Sequence, residues 1–286
     1  MAVRIVTDST CDLPPEILKE LDIAVLPTYL LFGTTSYRDG LDINTDEFYQ
    51  KLLHEPVYPT TSQPTPQDFL AAFSRLSAAG ADGIVSIHLS SKLSGTANAA
   101  EKARQDASLT LPIEVIDSQT LSFGLGLVVI AAARMAKAGK SLKEITEAVH
   151  HLLDRNKLLI LFDTLEYLAK GGRIGKVSSL LGALLSVKPL ATIKDGELVP
   201  SCQVRSRAKG KEKLLEFINS CPEAAEVFVA YSTTPDEAKE LAAGITVCPP
   251  ENIRVSRLGP VIAAHGGPGL LGIAIQLKSE PPGLNT

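Results

Sequence analysis

The sequence predicts an α/β protein of two domains: an open, mostly parallel α/β/α domain over residues 1–155 and an α+β domain over residues 156–286. Three observations predict it. A chain of 286 residues amounts to about two domains at roughly 150 residues each. Short apolar runs with β-branched residues alternate with helical patterns through the first half, as a parallel sheet with crossover helices requires. Past about residue 155 hairpin signals mix with helices, and the alternation is lost.

The first run, Val3–Thr7, reads as a buried parallel strand. Pro14-Pro15 then opens a helix through Leu21. Ile23–Phe32 is a second strand, interrupted by Pro27, and Thr45 caps a helix with the apolar pattern Phe48, Leu52, Leu53. Gln67–Ala79 is an amphipathic helix, Ile84–Leu89 a strand, Ser94 to about Asp106 a helix and Ile113–Ile116 a strand. Two helices follow, Phe123–Ala138 and Ser141–Asp154, separated by Gly139. Beyond them, Leu158–Phe162 is a strand, and a helix to Lys170 stops at Gly171-Gly172. Val177–Leu185 is an apolar helix, and Pro189–Ile193 pairs with Leu198–Val204 around Asp195-Gly196. Lys211–Asn219 is a helix, Val227–Tyr231 a strand, Pro235–Ala243 a helix, and Ile253–Arg257 and Leu271–Gln276 are strands. The tail from 279 to 286, with two prolines and a glycine, is expected to be mobile.

Composition narrows the function classes. Hydrophobic residues make up 45% and charged residues 21%, which excludes general disorder. The net charge of -4 gives no global attraction to nucleic acid or an anionic membrane. Five histidines and four cysteines are scattered without CxxC or HExxH, so neither a metal site nor a disulfide framework is expected. The first ten residues carry Arg4 and Asp8 and no long apolar core, so no signal peptide is expected. The most apolar window, Leu121 to Ala133, is shorter than the roughly 20 residues that span a bilayer. A cytoplasmic protein without a transmembrane segment is the expectation. Aromatics are 5% and tryptophan is absent, so the apolar content is aliphatic: a core, or a tunnel for an aliphatic ligand.

Ligands of open α/β sheets bind beyond the carboxyl ends of the strands. Ser9-Thr10, Ser90-Ser91 and Ser118 sit there as a rim of hydroxyls. Five segments stand out. Thr60-Thr61-Ser62-Gln63-Pro64-Thr65 is held extended by Pro64; it is either an N-cap linker or a strip of hydroxyls facing a ligand. Ser90-Ser91-Lys92-Leu93-Ser94-Gly95-Thr96 joins a strand to a helix; Ser94 is either a cap or, with the free N–H groups and Gly95, an anion contact. His265 stands among small residues between Gly259-Pro260 and Gly267-Pro268-Gly269, a loop with room for a ligand. Leu165–Ile174 reads as a helix with a glycine cap, and Arg205–Lys211 as a basic helix start or a local phosphate or partner contact. Nucleophile-elbow, Walker and dinucleotide fingerprints are all missing.

Taken together, these motifs resemble the DegV family, whose fatty-acid-binding (FakB-like) members serve a bacterial fatty acid kinase. The resemblance runs over about residues 3 to 277. It rests on Thr7-Asp8-Ser9, Thr61-Ser62-Gln63-Pro64, Leu93-Ser94-Gly95-Thr96, Asp117-Ser118, Leu165-Glu166-Tyr167-Leu168 with Gly171-Gly172-Arg173-Ile174, Lys188-Pro189, and Gly259-Pro260 with His265 and Gly267-Pro268-Gly269. It implies a protein that is no enzyme itself, takes no cofactor or metal, and buries one long-chain fatty acid. The family's carboxylate ligands fall on Thr61, Ser62, Ser94, Gly95 and His265. The arginine of the kinase step falls on Arg205 or Arg207, Arg205 being preferred. Implied partners are the fatty acid, a fatty acid kinase subunit and a transient membrane contact, in phospholipid metabolism. A C16 tail brings about 14 methylenes at about 0.8 kcal/mol each, so the tail would dominate affinity and the hydroxyls would set position. Two other readings stay open: an acyl transferase or esterase using Ser94 and His265, and a lipid-sensing regulator.

Overall fold

The computed structural model describes residues 2–106, 108–180 and 187–278. Strand β1 (Val3–Asp8) passes through a 3-10 turn into helix α1 (Pro15–Glu20) and returns as β2 (Ala24–Leu26). Pro27 has no N–H to continue the ladder. The chain therefore leaves that sheet and forms β3 (Tyr29–Phe32) and β4 (Thr35–Arg38), so the single strand expected over 23–32 is two strands in two sheets. Helix α2 (Thr45–His54) is capped by Asn44, not Thr45: Asn44 accepts from the Glu47 N–H while the Glu47 carboxylate accepts from the Asn44 N–H. There follow β5 (Thr60–Ser62), α3 (Pro66–Ala78), β6 (Gly83–His88), α4 (Thr96–Arg104), β7 (Ile113–Asp117), α5 (Ser122–Lys137) and α6 (Leu142–Asp154).

Strands β2-β1-β6-β7 form a four-stranded parallel sheet. Its apolar strands are buried on both faces, which is why they read as continuous runs rather than alternations. Phe69 and Phe73 of α3 and Ala99 and Ala100 of α4 cover one face with Val6, Ile84 and Ile113. Helices α5 and α6 cover the other.

The second half begins with β8 (Asn156–Leu161) and the short α7 (Glu166–Lys170). Residues 175–180 make 3-10 turns rather than the start of the expected helix, whose remaining positions 181–185 lie outside the described residues, as does the tail from 279. Then come β9 (Lys188–Lys194), β10 (Glu197–Val204), α8 (Arg207–Asn219), β11 (Ala224–Tyr231), α9 (Pro235–Ala243), β12 (Ile253–Arg257), α10 (Pro260–Gly266) and β13 (Leu271–Leu277). The β9–β10 turn has Asp195 at φ 53° and Gly196 at φ 78°, the left-handed pair that a two-residue hairpin needs. Six strands form one mixed sheet in the order β10-β9-β8-β13-β11-β12. Strict alternation divides β8: Leu158 and Ile160 face α5, while Leu159 and Leu161 face Leu214 and Ile218 of α8.

Helix α5 is thus the shared layer. It packs on β1 of the parallel sheet and on β13, β8 and β11 of the mixed sheet, and the largest apolar cluster runs through it from Val3 to Ala274. Its apolar character on nearly every side follows from that position. Gly126 permits the contact with the β1–α1 segment, since a Cβ there would lie 2.7 Å from the Cys11 carbonyl oxygen. A third, small antiparallel sheet, β4-β3-β5, stands at the carboxyl-end rim and carries Thr61.

Candidate functional site

Three loops at that rim and helix α10 enclose a cavity of about 440 Å³. Its apolar walls are mostly aliphatic, among them Leu89, Leu121, Ile160, Leu198 and Leu270, with Phe162 the one phenyl ring lining it among the described residues. Thr61, Ser62, Ser94 and His265 line the cavity as well. Thr61 Oγ1 and His265 Nε2 are 2.7 Å apart, across 204 residues of sequence.

Each of these side chains has a local reason for its place. Thr61 lies on β5, whose pairing with β3 sets it opposite Leu30. Pro64 keeps the preceding Gln63 extended, and Thr65 then caps α3 through a reciprocal pair with Asp68. The segment is both a cap linker and a strip of cavity-facing hydroxyls. Ser94 is not the cap of α4; that position is Gly95, and the Ser94 hydroxyl lies 2.9 Å from Thr96 Oγ1. Gly95 itself does not line the cavity. The Gln63 amide packs over it, 2.1 Å from where a Cβ would stand.

His265 sits on a helix where a loop was expected. Pro260 supplies the fixed φ of the first helical turn, and Gly267, at φ 77°, ends α10. The imidazole edge lies against Gly171, where a Cβ would stand 2.2 Å from Nδ1. The glycine pair after α7 is therefore more than a helix stop. Nδ1 is buried without a hydrogen-bond partner. Burial, and then the nearby Arg173 guanidinium, push the imidazole down to about 4, so it is neutral at pH 7.

Arg173 was missed as a site residue although its motif was noted. It lines the cavity and is the one formally charged residue to do so among the described residues. Its guanidinium donates to the Gly171 carbonyl at 2.8 Å and the Leu93 carbonyl at 3.3 Å, which fixes it beside Ser94 and His265 without an acidic partner. Thr10 and Thr28 also line the cavity. Of the remaining rim hydroxyls, Ser90 donates to the Gly196 carbonyl at 2.6 Å, and Ser118 is buried in its own turn.

The two candidate arginines have different surroundings. Arg207 is half-buried and bonded to Glu237, to the Gly269 carbonyl and to Thr234. Arg205 is exposed just before α8.

A second constellation lies behind the site. His88 Nδ1 is 2.8 Å from Asp8 and its Nε2 is 2.7 Å from Ser86, all three at 0% exposure. Asp8 also accepts from the Thr10 hydroxyl and N–H. The geometry is that of a serine triad, but no ligand reaches a sealed serine. The group ties β1 to β6 beneath Thr10. Of the two residues an esterase reading would use, His265 Nε2 meets Thr61 and the Ser94 hydroxyl meets Thr96. No helix among the described residues is long and apolar enough to cross a membrane.

Comparison with known proteins gives a consistent result. A DegV-domain protein of Streptomyces coelicolor is 37% identical over 96% of this chain and 99% of its own. One from Caldanaerobacter subterraneus is 36% identical over 96% and 99%. Among solved structures, a fatty-acid-binding DegV family protein of Thermus thermophilus superposes with a TM-score of 0.88 at 34% identity, covering 97% of this chain and all of its own. A stearic-acid-binding protein of Eubacterium ventriosum gives 0.87 at 29% identity over 96% and 98%. The family model for uncharacterised proteins of the DegV type matches residues 2–278. A match that leaves out almost nothing of the chain, with a fold to go with it, makes this protein a member of the DegV family.

Proposed function

We propose that this protein binds a long-chain fatty acid, tail in the aliphatic cavity and carboxylate against Thr61, Ser62, Ser94 and His265, and presents that carboxylate to a fatty acid kinase that forms the acyl phosphate. The observation that carries the proposal is the cavity itself, whose lining combines aliphatic side chains with hydroxyls and one neutral imidazole. The fatty-acid binding described for the Thermus and Eubacterium relatives supports it.

The chemistry follows from the parts. A carboxylate leaving water needs donors. With its proton on Nε2, His265 donates to Thr61, and the Thr61 hydrogen is then free for the ligand. Ser94 supplies a second donor. Hydrogen bonds to a charged group contribute about 1.5–3 kcal/mol each. Arg173 adds a positive charge at the same end, where a carboxylate or an acyl phosphate would develop negative charge. The kinase supplies ATP; this chain shields the tail, positions the reacting oxygen and offers exposed Arg205 as a partner contact. On this reading residues 1–155 provide Thr61, Ser62 and Ser94, and residues 156–286 provide His265 and Arg173, so the site closes between two domains. Loading involves a transient membrane contact.

Native mass spectrometry of the protein purified from bacteria should show a co-purified fatty acid at about one per chain. Ser94→Ala and His265→Ala should each cut acyl-phosphate formation with a bacterial fatty acid kinase by more than they weaken lipid binding. Wild-type turnover in both variants would sink the head-group assignment.

A further inference from the structure

We infer that Gly272, with Ala230 and Ala274 beside it, sets the longest acyl chain the cavity accepts. The inference rests on the fatty-acid reading and adds to it a limit on chain length. Against the cavity, sharing Leu121, Ile160, Ile262 and Leu270 with it as common walls, lies a second, smaller space of about 20 Å³, which we read as a lobe for the end of the chain. Phe123, Ala230, Gly272 and Ala274 line it; on this reading Phe123 is its floor and the three small residues its side wall.

The floor is stiff. Phe123 stacks on Phe228 with ring centroids 4.6 Å apart and planes 11° apart, and both rings are buried. The lobe is dry by construction. The one polar side chain lining it among the described residues, Ser122, donates its hydroxyl hydrogen to Asp12 at 2.6 Å. A space of this size holds about one methyl-sized group, and without polar partners it does not hold water. Left empty, its lining forfeits dispersion contacts. The terminal methyl of a chain whose carboxylate meets Thr61 and His265 is the group that fills it.

Gly272 is the residue whose identity the fold does not explain. It sits mid-strand between Ile160 of β8 and Ala230 of β11. A Cβ at this position would meet nothing closer than 3.6 Å, and its nearest side-chain neighbours would be Ala230 Cβ at 3.8 Å and Ile160 Cγ1 at 3.9 Å. Alanine would fit the sheet, and glycine in a strand interior weakens it. What alanine would take away is the space of the lobe.

The test is a ladder of saturated fatty acids of increasing length, measured by displacement of a fluorescent fatty acid from delipidated protein. Wild-type affinity should rise by about fourfold per methylene, the equivalent of about 0.8 kcal/mol, until the methyl end meets Phe123, and then break. Gly272→Ala should move the break about one carbon shorter and leave shorter acids within about twofold of wild type. Phe123→Leu should move it to longer chains. An unchanged break in Gly272→Ala overturns the length limit while fatty-acid binding stands. A wild-type protein that binds no acid on the ladder overturns the fatty-acid reading itself. If Phe123→Leu fails to fold, Gly272→Ala alone decides, because its added methyl makes only ordinary contacts.

Discussion

At the scale of single residues, His265 combines a hydrogen bond, an unpaired nitrogen and a depressed pKa. Because burial holds the ring at about 4 against an ordinary 6.5, the folded protein takes up this proton less readily than the unfolded chain. The stability that this group contributes is complete above about pH 6.5 and is lost as pH falls through about 4. His265→Gln should therefore show a flatter loss of stability across that window, by about 3 kcal/mol, in thermal melts taken against pH. Buried Asp39 works with the opposite sign. Its carboxyl is raised by burial to about 7, so its contribution is complete below about 3.8 and is lost as pH rises through 7. The difference between wild type and variant isolates the histidine. Thr61, Ser94 and His265 line the cavity; the sequence marked their segments by clustered hydroxyls and a lone imidazole among small residues, but only the family resemblance implied carboxylate ligands there. Arg173 was not legible in the sequence, because a glycine cap already explained its neighbours. Nor was the Asp8–His88–Ser86 group, since nothing in the spacing of residues 8 and 88 says that two parallel strands will lie side by side.

At the scale of elements, the site depends on how closely α7 and α10 approach. Gly171→Ala would place a methyl 2.2 Å from His265 Nδ1 and 3.1 Å from the Tyr167 carbonyl oxygen. Overpacking of this kind costs about 1–3 kcal/mol. The displaced ring should lose Thr61, and fatty-acid affinity should fall about tenfold or more, measured by displacement titration. The long elements could be read from periodicity and caps: α3, α5 and α6 differ from expectation only at their ends, and the Asp195-Gly196 turn is where its dipeptide put it. The small sheet could not be read in this way. Strand β4 is polar and largely exposed, β5 has three residues, and what defines them is their pairing with β3. Helix α10 was hidden by the Gly-Pro brackets, which mark a helix start and stop here rather than two turns.

At the scale of the whole molecule, the apolar cluster through α5 joins both sheets, so they should unfold together. Gly126→Ala, which sets a methyl against the Cys11 carbonyl and the Leu13 side chain, should lower stability by about 1–3 kcal/mol while far-UV and near-UV melts still coincide in one transition. Two separated transitions would contradict a shared core. Loading should act on the same transition: fatty acid at about 100 times its dissociation constant should add about 2.7 kcal/mol over delipidated protein. The alternation of strands and helices announced the parallel half, but the seam between halves is made by residues far apart in sequence, and local pattern carries no trace of it. The absence of tryptophan has a practical side. With no tryptophan to dominate emission, the six tyrosines are optically unmasked. Two of them, Tyr58 and Tyr167, lie ring on ring at 4.8 Å, just ahead of Thr61 and one residue from the cavity wall at Leu168. Should a ligand enter the cavity beside them, this native chromophore pair would report it in emission that no indole obscures.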